Sequence, residues 1–525
     1  MAVFELVIAL LFVGAVLAAV ARRLHAPYPA LLALAGAALA LLPDVPSVTL
    51  DPELALTLFV APVLLDAAFD SSPRDLRQNW RVVGSLALLA VGLTVAAVAV
   101  VAKWLVPDLP WAAAIALGAI VAPPDASAAT AVLRQLHPPH RVMVILEGES
   151  LFNDATALLV YRLAVSAALT GSVVGWHILP MLLLVAAGSI VLGFLLARLT
   201  VRTMARIQDL GTAVILQFLT TFAVWLIAER LHLSGIITVV VFAITAARSA
   251  SDLIPARMRI PSYAVWEVMV FVLNVLAFIL VGLQLKPILQ RQGASGLVTY
   301  LYVALAVCLT VIVVRFIWVM GYAAVARWIA QRRPSADPAR RPSFKVATVI
   351  AWCGMRGIVT LAAALALPDG TDGRFPYRDL ILFSAFSVVL VTLVLQGMTV
   401  RPLMRALDLR DDGTVEREIR LARAETARAA LDALDGVEQR TELIPLLRLK
   451  YQDRLRRFGT DGAERPDGPD GGGDLDRVHQ SIHSAQRRTL SELRSSGVIG
   501  DDAFHRVEEE LDWAELNAEG MARGA

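Results

Sequence analysis

Long apolar runs follow one another along this chain, separated by short stretches of charge, Pro or Gly. A helix needs about 20 mostly apolar residues to cross hydrocarbon. By that measure the pattern predicts about 13 helices, near 3–21, 24–42, 53–69, 82–106, 111–133, 142–169, 177–200, 210–229, 233–248, 263–285, 297–325, 346–367 and 379–404. The runs are too long for barrel strands, and a backbone in lipid must satisfy its own hydrogen bonds, so the spans are helical. No basic residue precedes the first run, so it reads as a membrane helix rather than a cleaved signal peptide.

Beyond residue 404 the apolar pattern stops. A tail over 405–525 is polar, with a helical repeat over 415–458, a linker at 460–476 (TDGAERPDGPDGGGDLD) and a second helical stretch over 477–517. The ordinary reading of this tail is a solvated accessory domain of two helical hairpins. The expected organisation is a transmembrane domain over 1–404 and a helical tail over 405–525.

Composition agrees. Hydrophobic residues make up 57% and charged residues only 18%, against about 25% charged in a soluble protein. The net charge of +2 gives no reason to expect a nucleic-acid partner. Cys308 and Cys353 lie in separate apolar runs and form neither a disulfide framework nor a metal motif. Alternate loops differ in charge. One set holds Arg22, Arg23, Arg74, Arg77, Arg81, Arg134, Arg141, Arg198, Arg202, Arg206, Arg248, Arg257, Arg259 and the cluster from Arg327 to Lys345; the other holds only Lys103, Arg230, Lys286, Arg291, Arg374 and Arg378. The basic set is expected in the cytoplasm, which places the N-terminus outside and the tail inside.

Three membrane segments carry polar groups that lipid would not tolerate. EGESLFNDATALLVYR, from Glu147 to Arg162, puts Ser150 and Asp154 four apart on one helix face, with Glu149 and Asn153 on the adjoining face. An ionisable group at this depth costs about 2.5–3.5 kcal/mol on insertion scales and is a functional candidate by default. In WAAAIALGAIVAPPDASAATAVL, Pro123 and Pro124 must break the helix just before Asp125, freeing carbonyls near Ala122 and Pro123. In VATVIAWCGMRGIVTLAAALAL, Gly354 and Gly357 flank Arg356, which needs an anionic partner. The two interrupted segments are the fifth and twelfth, an offset expected of inverted six-helix repeats with a binding site at the midplane. Asp66 is a further candidate, with pairing to Arg74 or Arg77 as its ordinary explanation. Glu267 and Asn274 share a face and read first as interhelical hydrogen-bonding groups. His137 and His140 read as loop histidines. Arg162 and Arg315 have no partner assigned by sequence.

GESLFNDATALLVYRLAV, GAIVAPPDASAATAVL, WCGMRGIVTLAAALALP, FVLNVLAFILVGLQL and TLVLQGMTVRPL, in this order over about residues 5–405, resemble the monovalent cation:proton antiporter family. That family includes bacterial sodium/proton antiporters and animal sodium/proton exchangers. The resemblance implies 13 helices with inverted repeats, a core domain, a dimerisation domain and a homodimer in the cell membrane. Asp154 matches the aspartate that carries ion and proton, and Ser150 a ligand one turn away, so Na+ is expected at Asp154 and Ser150. Asn153 matches a position held by a second aspartate in electrogenic relatives, which implies electroneutral exchange. Glu149 and Arg356 match a core ion pair. Asp125 matches the aspartate at the helix break, and Asp66 an acidic position near the site. Pro124 stands where many members have Thr, so a hydroxyl ligand is lost and the carbonyls near Ala122 and Pro123 remain.

The mechanism expected is competition between a proton and a cation (Na+ or Li+) for Asp154, with no cofactor. The empty anionic site crosses poorly, because bare charge is costly in lipid. A K+/H+ antiporter on the same architecture is the alternative. An intramembrane aspartyl hydrolase using Asp125 and Asp154 is remote, as neither has a protease context. An ion channel is disfavoured by the broken helices and the central carboxylate.

Overall fold

The computed structural model describes residues 2–24, 27–42, 54, 56–171, 178–207, 209–284, 286, 294–332, 343–368, 375–435, 452 and 474–524. It is all-helical: α1 (Ala2–Leu24), α2 (Tyr28–Ala40), α3 (Ala61–Phe69), α4 (Pro73–Leu105), α5 (Trp111–Val121), α6 (Ala126–Leu133), α7 (His140–Thr170), α8 (Ile178–Met204), α9 (Leu210–Arg230), α10 (Gly235–Leu253), α11 (Ala256–Leu283), α12 (Ala294–Gln331), α13 (Phe344–Trp352), α14 (Ile358–Leu365) and α15 (Arg378–Leu407), followed by the tail helices α16 (Thr414–Asp435), α17 (Asp474–Ser495) and α18 (Asp501–Gly524). A helix stands in each range that the apolar pattern predicts. By length and composition, seven of the described helices are sufficient to cross a membrane, and three shorter apolar ones accompany them. The chain is a multi-pass membrane protein.

Local chemistry sets the helix ends. Ser72 caps α4 by accepting the Asp75 amide at 3.3 Å, with Pro73 as the first helical residue. Pro123 and Pro124 follow Ala122, the last residue to bond back into α5, and α6 begins after Asp125. One feature absent from the periodicity is a wide π-helical turn at Leu56–Val60 before α3, at Ser85–Ala90 in α4 and at Thr392–Gln396 in α15.

The helices pack as two bundles. In the first, α2 lies along α11, α10 packs on α8, α3 and α9, and α1 joins α2 and α11. In the second, α4, α5 and α7 pack together, and α12 packs on α4, α13 and α15. Small residues allow the closest approach inside the first bundle: a Cβ on Gly36 would lie 2.2 Å from the Ile279 carbonyl oxygen, and one on Gly282 would lie 2.3 Å from that of Ala33. The helices that carry the interruptions, α5, α6, α13 and α14, belong to the second bundle.

The tail is a three-helix unit rather than two hairpins: α16, α17 and α18 pack mutually around Ile419, Leu490, Ile499, Phe504, Val507 and Leu511. The expected linker lies outside the described residues up to residue 473, and α17 already begins at Asp474.

Candidate ion site

The two interruptions meet. The Asp125 amide, leaving the α5–α6 break, donates to the Met355 carbonyl in the α13–α14 break at 2.7 Å. The Asp125 carboxylate then caps α6, accepting the Ser127 amide at 2.8 Å and its hydroxyl at 2.6 Å. Asp125 also faces the start of α14. A Cβ added to Gly357 would fall 1.7 Å from Asp125 Oδ2, so only glycine leaves room for this carboxylate.

Asp154, buried on α7, faces the same place. Among the described residues it receives no hydrogen bond and no ion pair, although it is only 5% exposed. Ser150, one turn earlier, accepts the Ala126 amide at 3.3 Å. Asn153 donates to the Pro124 carbonyl at 2.8 Å, while its own Oδ1 is buried without a partner. Asp66 reaches the site from α3, and its pairing differs from the ordinary explanation: it accepts the Trp266 indole N–H at 2.8 Å, whereas Arg74 bonds Asp75 and Glu418.

Asp66, Asp125, Ser150 and Asp154 line one cavity of about 240 Å³ between the two bundles, together with Thr130 and Asn274. A carboxylate without a donor, set among oxygen atoms, suits a proton or a hard cation and little else. Asn153, Ala122 and Pro123 are not in the cavity wall. The Ala122 carbonyl is already occupied by one donor.

It is occupied by Arg356, and this corrects the expected Glu149–Arg356 pair. Arg356 is 1% exposed and spends its donors on carbonyls: Val121 at 3.0 Å, Ala122 at 3.2 Å, and Gly354. Its amide donates to the Thr392 hydroxyl at 3.0 Å. The guanidinium thus sits at the C-terminus of α5, where unpaired carbonyls and the helix dipole favour a cation. Glu149 pairs instead with Arg315 of α12, by two bonds of 2.5 and 2.8 Å, and Arg315 also donates to the Ile350 carbonyl at 3.1 Å. The sequence assigns Arg315 no partner. The only signal was a second arginine in an apolar run, and it could not decide which of the two takes Glu149. Arg162, also unassigned, meets Glu229 at 3.0 Å on the surface.

The cavity continues toward the tail. Asp70, Arg134 and Glu147 line both it and a second cavity of about 310 Å³, whose wall includes His140 of α7 and Asp411, Val415 and Asp502 from the tail region.

With this geometry in view, comparison with known proteins identifies the class. Residues 7–406 match the family model described as sodium/hydrogen exchanger, transmembrane. The chain belongs to that family: it is a cation/proton antiporter, a transporter and not an enzyme. It is 32% identical to an uncharacterised Na+/H+ exchanger of Mycobacterium tuberculosis, covering 98% of this chain and 96% of that protein. It is 31% identical to a sodium, potassium, lithium and rubidium/H+ antiporter of Bacillus pumilus, over 82% of this chain and 66% of that one. The sodium proton antiporter MjNhaP1 of Methanocaldococcus jannaschii shares the fold, with a TM-score of 0.60 at 19% identity, over 77% of this chain and 98% of that structure.

Proposed function

We propose that this protein exchanges Na+ or Li+ for H+ across the cell membrane, one for one and without net charge movement, by alternating access at Asp154. The observation that carries this reading is the unpartnered Asp154 carboxylate in a cavity shared with Asp125, Ser150 and Asp66. Protonated, the carboxylate is neutral; deprotonated, it binds a cation with Ser150 and Asp125 close by. Either loaded form crosses, and the bare anion does not, because an uncompensated charge is costly at membrane depth. That selection rule is sufficient to couple the two fluxes.

Support for electroneutrality comes from Asn153. It cannot ionise, and it is engaged with the Pro124 carbonyl, so a single carboxylate exchanges its load at this pair of positions. The site sits between two bundles, and the moving part is the bundle that carries the broken helices. Interruptions at corresponding places in its two halves support an inverted-repeat architecture. The basic loops support a tail in the cytoplasm and an N-terminus outside. The assembly is a homodimer, for which the exposed apolar faces of α8 and α9 provide surface alongside lipid.

Proton flux in proteoliposomes under an imposed pH gradient tests this. Na+ or Li+ should dissipate the gradient equally with and without a membrane potential. A flux that follows the potential would refute electroneutral exchange. K+/H+ exchange is the second reading, favoured by the potassium named among the substrates of the Bacillus pumilus relative; dissipation by K+ alone would select it.

A further inference from the structure

Asn274 stands in the wall of the ion cavity but has no part in the exchange cycle of Asp154. It belongs to α11, in the bundle opposite Asp154, and lines the cavity with Asp125, Ser150 and Asp154. The residue is 7% exposed. The interhelical hydrogen bond expected from sequence is missing at its oxygen: among the described residues Oδ1 is buried without a partner. Leaving a buried amide oxygen unmet is costly, so the group calls for an occupant that the protein itself does not supply. Asn153 has an orphan oxygen too, but its amide nitrogen is held by the Pro124 carbonyl and it lies outside the cavity wall.

One stripe of α11 serves the cavity. Val270, a turn before Asn274, lines the same wall, and Trp266, a turn earlier again, holds the Asp66 carboxylate at 2.8 Å. Asp66 and Asn274 thus enter from the first bundle, and Asp125, Ser150 and Asp154 from the second. Gly282 pins α11 within the first bundle, since a Cβ there would lie 2.3 Å from the Ala33 carbonyl oxygen of α2. Asn274 therefore stays behind when the second bundle moves. A primary amide offers an oxygen to a hard cation and adds no charge, so it can join the coordination of Na+ or Li+ without disturbing one-for-one exchange. Its last torsion is soft, so the oxygen can turn to the cavity at little cost.

We propose that Asn274 is a cation ligand supplied by the first bundle, present in the conformation open toward the tail and lost when Asp154 moves away with the second bundle. This rests on the antiport reading above. In this conformation the cavity continues toward the tail past Asp70, Arg134 and Glu147, so the completed site faces that side. The cation is then held more tightly from the tail side than from the other. A proton needs only the Asp154 carboxylate, so Asn274 sets cation affinity on one face of the membrane and leaves the proton step alone.

Asn274→Leu and Asn274→Asp separate a ligand from a packing group. Leucine fills a similar volume without an oxygen, and aspartate keeps an oxygen at the same reach. Half-saturating Na+ and Li+ concentrations for proton flux are measured in everted vesicles, where added cation meets the tail side, and in right-side-out vesicles, where it meets the other. The full-length proteins are also melted in detergent, in sodium chloride and in choline chloride. Asn274→Leu should raise the half-saturating concentration several-fold in everted vesicles only, melt as the wild type does in choline, and lose most of the stabilisation given by Na+. Asn274→Asp should stay at or below the wild-type concentration in everted vesicles, and it decides the matter if the leucine variant proves unstable. An unchanged half-saturating concentration in Asn274→Leu, or an equal rise on both faces, would overturn the proposal. So would equal impairment of the leucine and aspartate variants, which would make Asn274 a packing group. Loss of Na+ stabilisation in Asn274→Leu, with no cation-driven flux even in the wild type, would keep the ligand and refute the antiport reading instead.

Discussion

Glu149 and Arg315 form a doubly hydrogen-bonded ion pair, buried on both sides, that joins α7 to α12 beside the crossed breaks. Arg315 also holds the Ile350 carbonyl near the end of α13, so one guanidinium fixes the helix that carries Asp154 against one of the broken helices. Removing a single partner from such a pair costs about 3–5 kcal/mol, whereas removing both costs less than the sum. Arg315→Gln and Glu149→Gln should each lower the unfolding temperature in detergent, and the double variant should fall short of additivity. Additive losses would show that the two residues do not act as a unit.

Arg356 plays a different part. Its guanidinium occupies the carbonyls at the end of α5 without a carboxylate of its own. Arg356→Lys keeps the charge but not the fork of donors, so it should leave carbonyls unmet and lower both stability and transport. Equal performance of the lysine variant would mean that charge alone suffices there.

Gly357 is the position where one atom decides. Gly357→Ala brings a methyl group to within 1.7 Å of Asp125 Oδ2, so the carboxylate or the break itself must move. Transport should fall close to background while most of the protein still runs as a folded species on gel filtration. A Gly357→Ala variant with normal flux would show that the position of Asp125 is not needed for exchange.

Much of this architecture was legible in the sequence, for physical reasons. Hydrocarbon thickness fixes span length, so the helical segments could be bounded from apolar runs alone. The adjacent Pro123 and Pro124 before Asp125, and Gly354 and Gly357 around Arg356, disfavour a continuous helix, so the interruptions were legible too. The grouping of Asp125, Ser150 and Asp154 was indicated by the breaks and by the four-residue spacing on α7, whereas Asp66 stood in the sequence only as a further candidate and as a match to the family pattern. Partner choice was not legible. Arg315 and Arg356 lie on different helices, and nothing local says which reaches Glu149. The same holds for Arg259, which reads in sequence as one more basic residue at a membrane edge yet pairs with Glu508 and Asp512 about 250 positions later. Contacts between distant segments depend on packing that periodicity does not encode. The π-helical turns in α4 and α15 were hidden for a related reason: they alter helix phase by one residue without altering composition.

In the proposed exchange cycle Asp154 carries both the proton and the cation. Asp154→Asn keeps the shape of the side chain and removes its charge. Reconstituted with an imposed pH gradient, the wild-type protein should dissipate that gradient on addition of Na+ or Li+, and the folded Asp154→Asn protein should not respond to any monovalent cation. Cation-driven proton flux at the wild-type rate in Asp154→Asn would contradict the account.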